Sequence, residues 1–283
     1  MFDRFELAST LFGHCPKELL ETKEGREYGT VTHGTYFSTT CNLERGYNIL
    51  LPAGYSIEKK YPVMYLLHGI FGNEYSLTDD PELHIKELIG NMIGEDLLED
   101  IIVVFPNMFA TCDPEAKPDF NNEAVKPYDN FIHDLYNDLI PHIEGHYSVL
   151  SGRENTILAG FSLGGRETIY ISHVCPEKFG YVCAIAPAPG LVATTDKFMT
   201  HNGMLQENEL QYSSTDIRPN VFIICCGSVD SVVGDYPRSY HEIFGKNKTP
   251  HIWFSIEGAD HNAVAISGGV YNILVMFSQT RRM

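Results

Sequence analysis

Thr156-Ile157-Leu158-Ala159-Gly160-Phe161-Ser162-Leu163-Gly164-Gly165-Arg166-Glu167-Thr168-Ile169-Tyr170-Ile171-Ser172 is the stretch on which the reading of this chain turns. It opens with an apolar run, as expected for a strand buried on both faces, and closes with a helical pattern over 166–172. Between them lies Gly160-Phe161-Ser162-Leu163-Gly164, a G-x-S-x-G sequence. Strand, sharp turn and helix form the context in which that sequence becomes a nucleophile elbow. Glycines on either side of the serine leave room for strand and helix to pass closely, and the tight, strained turn points the hydroxyl away from the sheet. The helix that follows aims its first free N–H groups, and the positive end of its dipole, at any oxyanion formed there.

Working outward, the same alternation recurs. Residues 31–40 and 43–51 read as strands, the second closed by Pro52-Ala53-Gly54-Tyr55. The runs 61–67, 101–105, 181–186, 221–226 and 251–256 read as further strands, and 82–98, 129–147, 236–244 and 262–277 as helices. Residues 1–28 read as an N-terminal extension, with short helices at 6–12 and 16–22. Strands alternating with helices predict a mostly parallel, doubly wound α/β sheet with helices on both faces, in one domain spanning 1–283.

Charge and composition exclude several classes. Twenty Lys and Arg against 37 Asp and Glu give a net charge of −17, which repels phosphate backbones and anionic lipid, so no nucleic-acid or membrane partner is expected. No apolar stretch is expected to approach the ~20 residues of a membrane span, and the N-terminus lacks the basic-then-apolar pattern of a signal peptide. Seven cysteines without metal-type spacing make neither a disulfide framework nor a metal site, and Cys225 and Cys226 read as small core residues. No metal and no cofactor is expected.

In doubly wound sheets ligands bind beyond the carboxyl ends of the strands. Three polar residues follow strands there: Ser162, Asp230 after 221–226, and His261 after 251–256. Ser, Asp, His is the chain order of the α/β-hydrolase fold. In that arrangement His261 takes the Ser162 proton and later gives it to the leaving alkoxide, while Asp230 holds the imidazole tautomer. Asp235, in the same loop as Asp230, is the alternative acid; Asp260 adjoins His261 and is expected to point elsewhere. His241 lies in a helical pattern and His251 at the wrong end of a strand for the site, whereas His68, in a His-Gly turn, suits a loop-fixing role. Backbone N–H groups of Leu163, just after the nucleophile, and Ile70, in His68-Gly69-Ile70, are the expected oxyanion donors.

Four segments together resemble a known family: 48–55 (Asn-Ile-Leu-Leu-Pro-Ala-Gly-Tyr), 65–74 (Tyr-Leu-Leu-His-Gly-Ile-Phe-Gly-Asn-Glu), 160–165 and 258–262 (Gly-Ala-Asp-His-Asn). They are similar to the esterase-D-type hydrolases, and within these to carbohydrate esterase family 1, the feruloyl and acetylxylan esterases of plant cell wall degraders. The resemblance runs from about Gly29 to the C-terminus. It implies Ser162 as nucleophile, Asp230 as acid, His261 as base and Ile70 and Leu163 as oxyanion donors. It also implies a secreted enzyme. Family members often carry Gly-Gly after His-Gly, or an aromatic residue soon after the histidine. This chain has Ile70-Phe71-Gly72 and His261-Asn262-Ala263-Val264 instead, which brings a bulky Phe71 near the acyl site.

Two long connections leave the sheet at its carboxyl end. The segment 106–130 is a loop insertion expected to wall the active site, with Phe109, Phe120 and Tyr128 as aromatic surface; 187–219 contributes Phe198, Met199 and Met204. Phe71, Tyr75, Phe109 and Tyr128 are the substrate-binding candidates. Aromatic surface of this kind suits offset stacking on ferulate. The resulting expectation is a serine carboxylesterase acting on feruloyl esters of arabinoxylan through an acyl-enzyme. An acetylxylan esterase, a thioesterase like S-formylglutathione hydrolase, or a non-catalytic carbohydrate-binding relative are the alternatives. A fluorophosphonate probe separates the last from the others, since an idle serine does not accept it.

Overall fold

The computed structural model describes residues 13–214 and 217–282. Eight strands form one sheet: β1 (Thr30–Ser38), β2 (Leu43–Leu51), β3 (Val63–Leu67), β4 (Ile102–Pro106), β5 (Thr156–Phe161), β6 (Tyr181–Ile185), β9 (Val221–Gly227) and β10 (Ile252–Ile256). Two further strands, β7 (Thr194–Thr195) and β8 (Thr200–His201), pair only with each other. The sheet order is β1-β2-β4-β3-β5-β6-β9-β10; β2 runs antiparallel to both its neighbours, and all pairs from β4 to β10 are parallel. Every residue of β3, β4, β6 and β9 is buried, which accounts for their uninterrupted apolar sequence.

Helices cover both faces of the sheet: α1 (Ile85–Gly94), α2 (Asn122–Asp129), α3 (Phe131–Asp134), α4 (Ile140–His146), α5 (Leu163–Val174), α6 (Tyr236–Lys246) and α7 (Ala263–Arg281). One core lies between the sheet and α1 and α7, built on Met64, Val103, Ile185, Ile223 and Ile273; the other, on Tyr65, Val104, Leu158, Ile169, Ile224 and Phe244, lies under α3 to α6. Contrary to the expectation that no apolar stretch approaches the length of a membrane span, helix α7 is long and apolar enough to be one, yet 72% of its most apolar window is buried in the protein. It packs against β6 and β9, with Gly269 placing backbone against Ile185 and Cys225. Cys183, Cys225 and Cys226 are buried free thiols, as small core residues would be.

Four helical expectations are corrected. The helix expected at 82–98 is shorter, because His84 takes a left-handed conformation before its first turn and the chain curls back at its end, where the Leu97 and Leu98 N–H groups bond the Met92 carbonyl. The helix expected at 129–147 is interrupted by a π-helical turn, Leu135–Leu139, between α3 and α4. Inside 106–130, expected to be irregular, lies α2, started by Asn121, whose side chain accepts the Ala124 N–H at 2.9 Å and so supplies one of the terminal bonds a helix lacks. Of the helix expected at 16–22 only a 3-10 turn, Lys17–Leu19, forms, and the one expected at 6–12 lies outside the described residues.

Candidate active site

The elbow between β5 and α5 is as tight as its sequence demands. Ser162 has φ 58° and ψ −119°, and its peptide is clamped: its N–H donates to Ile185 O at 2.9 Å and its carbonyl accepts the Ala188 N–H at 2.9 Å. No side chain fits at the flanking glycines. A Cβ on Gly160 would lie 2.3 Å from Gly164 O, and one on Gly164 2.5 Å from His68 O and 2.6 Å from Leu67 O. Such separations from backbone atoms are prohibitive, so the two glycines are what allow β3, β5 and α5 to meet under Ser162.

Residues from the ends of β9 and β10 meet beside it. Asp230 Oδ2 and His261 Nδ1 are 2.8 Å apart, and Asp230 Oδ1 accepts the N–H groups of Val232 and Val233, each at 2.9 Å. Burial works against the Asp230 charge, but the His261 ring and these two amides outweigh it and hold the carboxyl below its ordinary range. A carboxylate only accepts, so Nδ1 of His261 carries the proton and a neutral ring leaves Nε2 bare. The ring is braced by Phe161, with centroids 4.3 Å apart. Among the described residues none hydrogen-bonds Ser162 Oγ; in enzymes without bound substrate the hydrogen bond between a nucleophile and its base is often long or unformed.

The alternatives fall elsewhere. Asp235 precedes the first turn of α6 and caps nothing with its side chain. Asp260 accepts from Ser231 N (2.6 Å) and His261 N (2.7 Å), pinning the Asp230 loop to the His261 loop. His241 Nδ1 and His251 Nε2 face each other at 2.7 Å, and the His241 ring stacks on Trp253.

His68 is buried and fixes the facing loop. Its Nδ1–H donates to Gly69 O at 2.7 Å, and its Nε2 accepts the Met108 N–H at 3.0 Å. Burial, helped by the nearby Arg45 charge, pushes its pKa down to about 4 although the Gly69 bond acts upward, so the ring is neutral near pH 7. In a trans peptide, C=O and N–H point in opposite directions. Anchoring the Gly69 carbonyl on His68 therefore directs the Ile70 N–H of the same peptide the other way. A Cβ on Gly69 would lie 3.3 Å from Ser162 Cβ, which places this loop against the serine. The Leu163 N–H is the first of α5 and lacks a partner within the helix.

Next to Ser162 is a pocket walled by Ile70, Phe120, Leu163, Phe198, Met199 and Val233, with Arg166, Asp196 and His201 also on its lining. Phe120 and Phe198 stack at 4.5 Å and 8°, and Phe71 meets Phe120 edge-on at 5.1 Å. A wider hollow between the N-terminal segment and α1, lined by Lys23, Arg26 and Ile89, shares no residue with it.

The substrate-binding candidates are only partly brought together here. Phe71 is exposed, at φ 64°, and touches the pocket through Phe120. Tyr128 is fully buried; its hydroxyl accepts the Phe71 N–H at 3.2 Å, so it braces the loop and offers no surface to a ligand. Phe109 packs on Tyr128, and Tyr75 stacks on His33; neither lines the pocket. Sequence reasoning missed Arg166, Asp196 and His201. Arg166 had a signal, standing one helical turn after Ser162 and so on the same face.

A mostly parallel sheet with an antiparallel second strand, and a serine elbow at its carboxyl edge, define an α/β hydrolase. The model of the Esterase family matches residues 38–235, and the chain belongs to that family. Among solved structures it is similar to a CE1 ferulic acid esterase from Anaeromyces mucronatus, with 42% identity and a TM-score of 0.90 over 96% of this chain and 99% of that one. Among curated proteins it is 28% identical over 54% of its length to an endo-1,4-beta-xylanase/feruloyl esterase of Xylanibacter ruminicola. It is 27% identical, again over 54% of its length, to endo-1,4-beta-xylanase Y of Acetivibrio thermocellus. The aligned part spans only 21% and 14% of these two relatives.

Proposed function

We propose that this chain is a serine carboxylesterase that hydrolyses feruloyl esters of xylan-type polysaccharide. Ser162 attacks the ester carbonyl while His261 Nε2 takes its proton, and Asp230 stabilises the imidazolium through Nδ1–H. The Ile70 and Leu163 N–H groups receive the oxyanion. Collapse releases the sugar hydroxyl, protonated by His261; water activated by the same ring then frees the acid. The observation that carries this reading is the Asp230–His261 hydrogen bond beside a strained Ser162 that opens on an aromatic-walled pocket.

The named activity of the Anaeromyces mucronatus relative, 42% identical over nearly its whole length, supports the feruloyl assignment, and the Phe120–Phe198 pair supplies the flat apolar surface that a cinnamoyl ring needs. In this reading residues 1–283 act as one catalytic unit, 106–130 forms part of the pocket wall through Phe120, and Phe71 forms the rim. A polysaccharide substrate places the enzyme outside the cell.

The test is kcat/KM for methyl ferulate beside 4-nitrophenyl acetate and acetylated xylan, with Ser162→Ala as the blank. Preference for methyl ferulate is expected. Turnover of the acetyl substrates alone would make it an acetylxylan esterase, and turnover surviving in Ser162→Ala would remove the nucleophile.

A further inference from the structure

Behind the pocket, where α5 meets the end of α2, one cation faces two acids. Arg166 is 2% exposed and its neighbour on α5, Glu167, is fully buried. Arg166 Nη2 donates both to Glu167 Oε1, at 2.5 Å, and to Oδ1 of Asp129, the last residue of α2. Arg166 Nε donates to the same Glu167 oxygen at 3.0 Å. Glu167 Oε2 is buried and meets no donor among the described residues. The Glu167 and Asp129 side chains are themselves hydrogen-bonded to each other.

The charge count decides how this cluster is protonated. One guanidinium against two carboxylates leaves one negative charge uncompensated, and an unbalanced charge in the interior is expensive. A single proton on the acid pair removes it. The contact between the two acids demands the same proton, since an ionised carboxylate only accepts hydrogen bonds. Burial is the largest influence on both carboxyls and raises each, Glu167 to about 8 even with Arg166 acting downward. The surrounding titratable groups do not supply the missing charge. Tyr170 on α5 and Tyr240 on α6 have pKa values raised by burial and stay neutral, and His201 on β8 is paired with Asp196.

We infer that Asp129 and Glu167 share one proton, and that this proton, with Arg166, fastens the pocket wall to the helix that starts at the nucleophile. Helix α2 carries Val125, which lines the pocket, and begins just after Phe120. Asp129 ties its far end to α5. Without the proton two anions face each other in the interior, and Asp129, the more exposed of the two, leaves Arg166 for solvent and frees the end of α2. Glu167 is thus a positioning residue, since it does not line the pocket. His261 must be unprotonated to act as a base, so it limits the rate toward acid; this cluster adds a limb on the alkaline side. The effect on catalysis rests on the feruloyl-esterase reading, whereas the shared proton does not.

Infrared spectroscopy reads the proton directly. At about pH 6.5 exposed Asp and Glu are ionised, so the carbonyl band of a protonated carboxyl is expected from this pair in the wild type. The band should vanish by about pH 9.5, and be absent from Glu167→Gln and from Asp129→Asn, where a single acid balances Arg166. No such band in the wild type, or its persistence in either variant, would overturn the shared proton. Kinetics read the positioning. For methyl ferulate the wild-type kcat/KM is expected to fall about tenfold per pH unit above the same titration, through KM, and to stay level in both variants. Because each profile is taken within one protein, its shape is independent of how much of a variant is folded. A level wild-type profile while the band titrates would overturn the link to the pocket. Hydrolysis of 4-nitrophenyl acetate with no turnover of methyl ferulate at any pH would overturn the feruloyl reading beneath it and leave the proton standing.

Discussion

At Ser162 the backbone stores strain, since a non-glycine residue at φ 58° and ψ −119° costs on the order of 1–3 kcal/mol. Two substitutions separate chemistry from strain. Ser162→Ala and Ser162→Gly are both expected to lose at least about 10⁴-fold in kcat. Of the two, Ser162→Gly should be the more stable by about 1 kcal/mol in urea unfolding, the reverse of the usual ranking, because glycine accepts this conformation and alanine does not. Equal midpoints would mean the elbow is unstrained. His68 orients the Gly69–Ile70 peptide, whose N–H is a proposed oxyanion donor. His68→Ala is therefore expected to lower kcat about 10- to 100-fold while KM stays within a few-fold, since an oxyanion donor is felt in the transition state and hardly in the ground state. A rise in KM with kcat unchanged would assign His68 to substrate binding instead.

At the scale of elements, the join between β5 and α5 depends on clearance. Gly164→Ala would press a methyl group against the carbonyls of Leu67 and His68, backbone atoms of a central strand that cannot swing away. It should destabilise the protein by about 2 kcal/mol or more, read as a shift of the denaturation midpoint at constant slope; an unchanged midpoint would show that β3 yields. The sequence made these central elements legible because both the buried run of β5 and the glycine pattern are local. The elements it hid are those with no local period. Strands β7 and β8 have two residues each, too few for alternation to register. Helix α2 contains Pro127, which reads as a breaker. The π turn at Leu135–Leu139 keeps an ordinary helical pattern; the partners that hold it are far away in sequence, its own Asp138 accepting from Thr39 and Thr40 and the adjacent Asp134 taking up Tyr36 and Arg45, all at the β1–β2 hairpin.

For the whole molecule, buried ionisable groups set the pH range of stability. His68 and His173 both have pKa values lowered by burial to about 4, against 6.5 in an exposed ring. Between those values the unfolded chain binds more protons than the folded one, so stability falls as pH drops from 6.5 to 4. Each histidine contributes about 3 kcal/mol to that loss once both states are fully protonated. Glu167 acts the other way: burial raises its carboxyl to about 8 despite Arg166, so the folded chain binds the extra proton between 4.5 and 8 and stability falls as pH rises through that window. Replacing His173, whose ring stacks between Tyr212 and Phe244, by phenylalanine should flatten the acid limb of a stability–pH curve and leave the alkaline limb unchanged. An acid limb identical to wild type would remove His173 as a contributor. None of this was visible in the sequence, where a histidine carries no mark of its burial. For the same reason Ser162, Asp230 and His261 could be read from their places after strands, whereas the pocket's polar side could not, since Arg166, Asp196 and His201 converge only in three dimensions.

The groups proposed to cleave the ester sit at the ends of β5, β9 and β10, whereas Phe120, Asp196, Phe198 and His201 belong to two connections that contribute no strand to the large sheet. Reactivity and selectivity are therefore inherited separately. Mutations in residues 106–130 or 187–219 can change which acyl group is accepted while the machinery that cleaves it is conserved, so a lineage built on this scaffold can acquire new substrates without passing through an inactive intermediate.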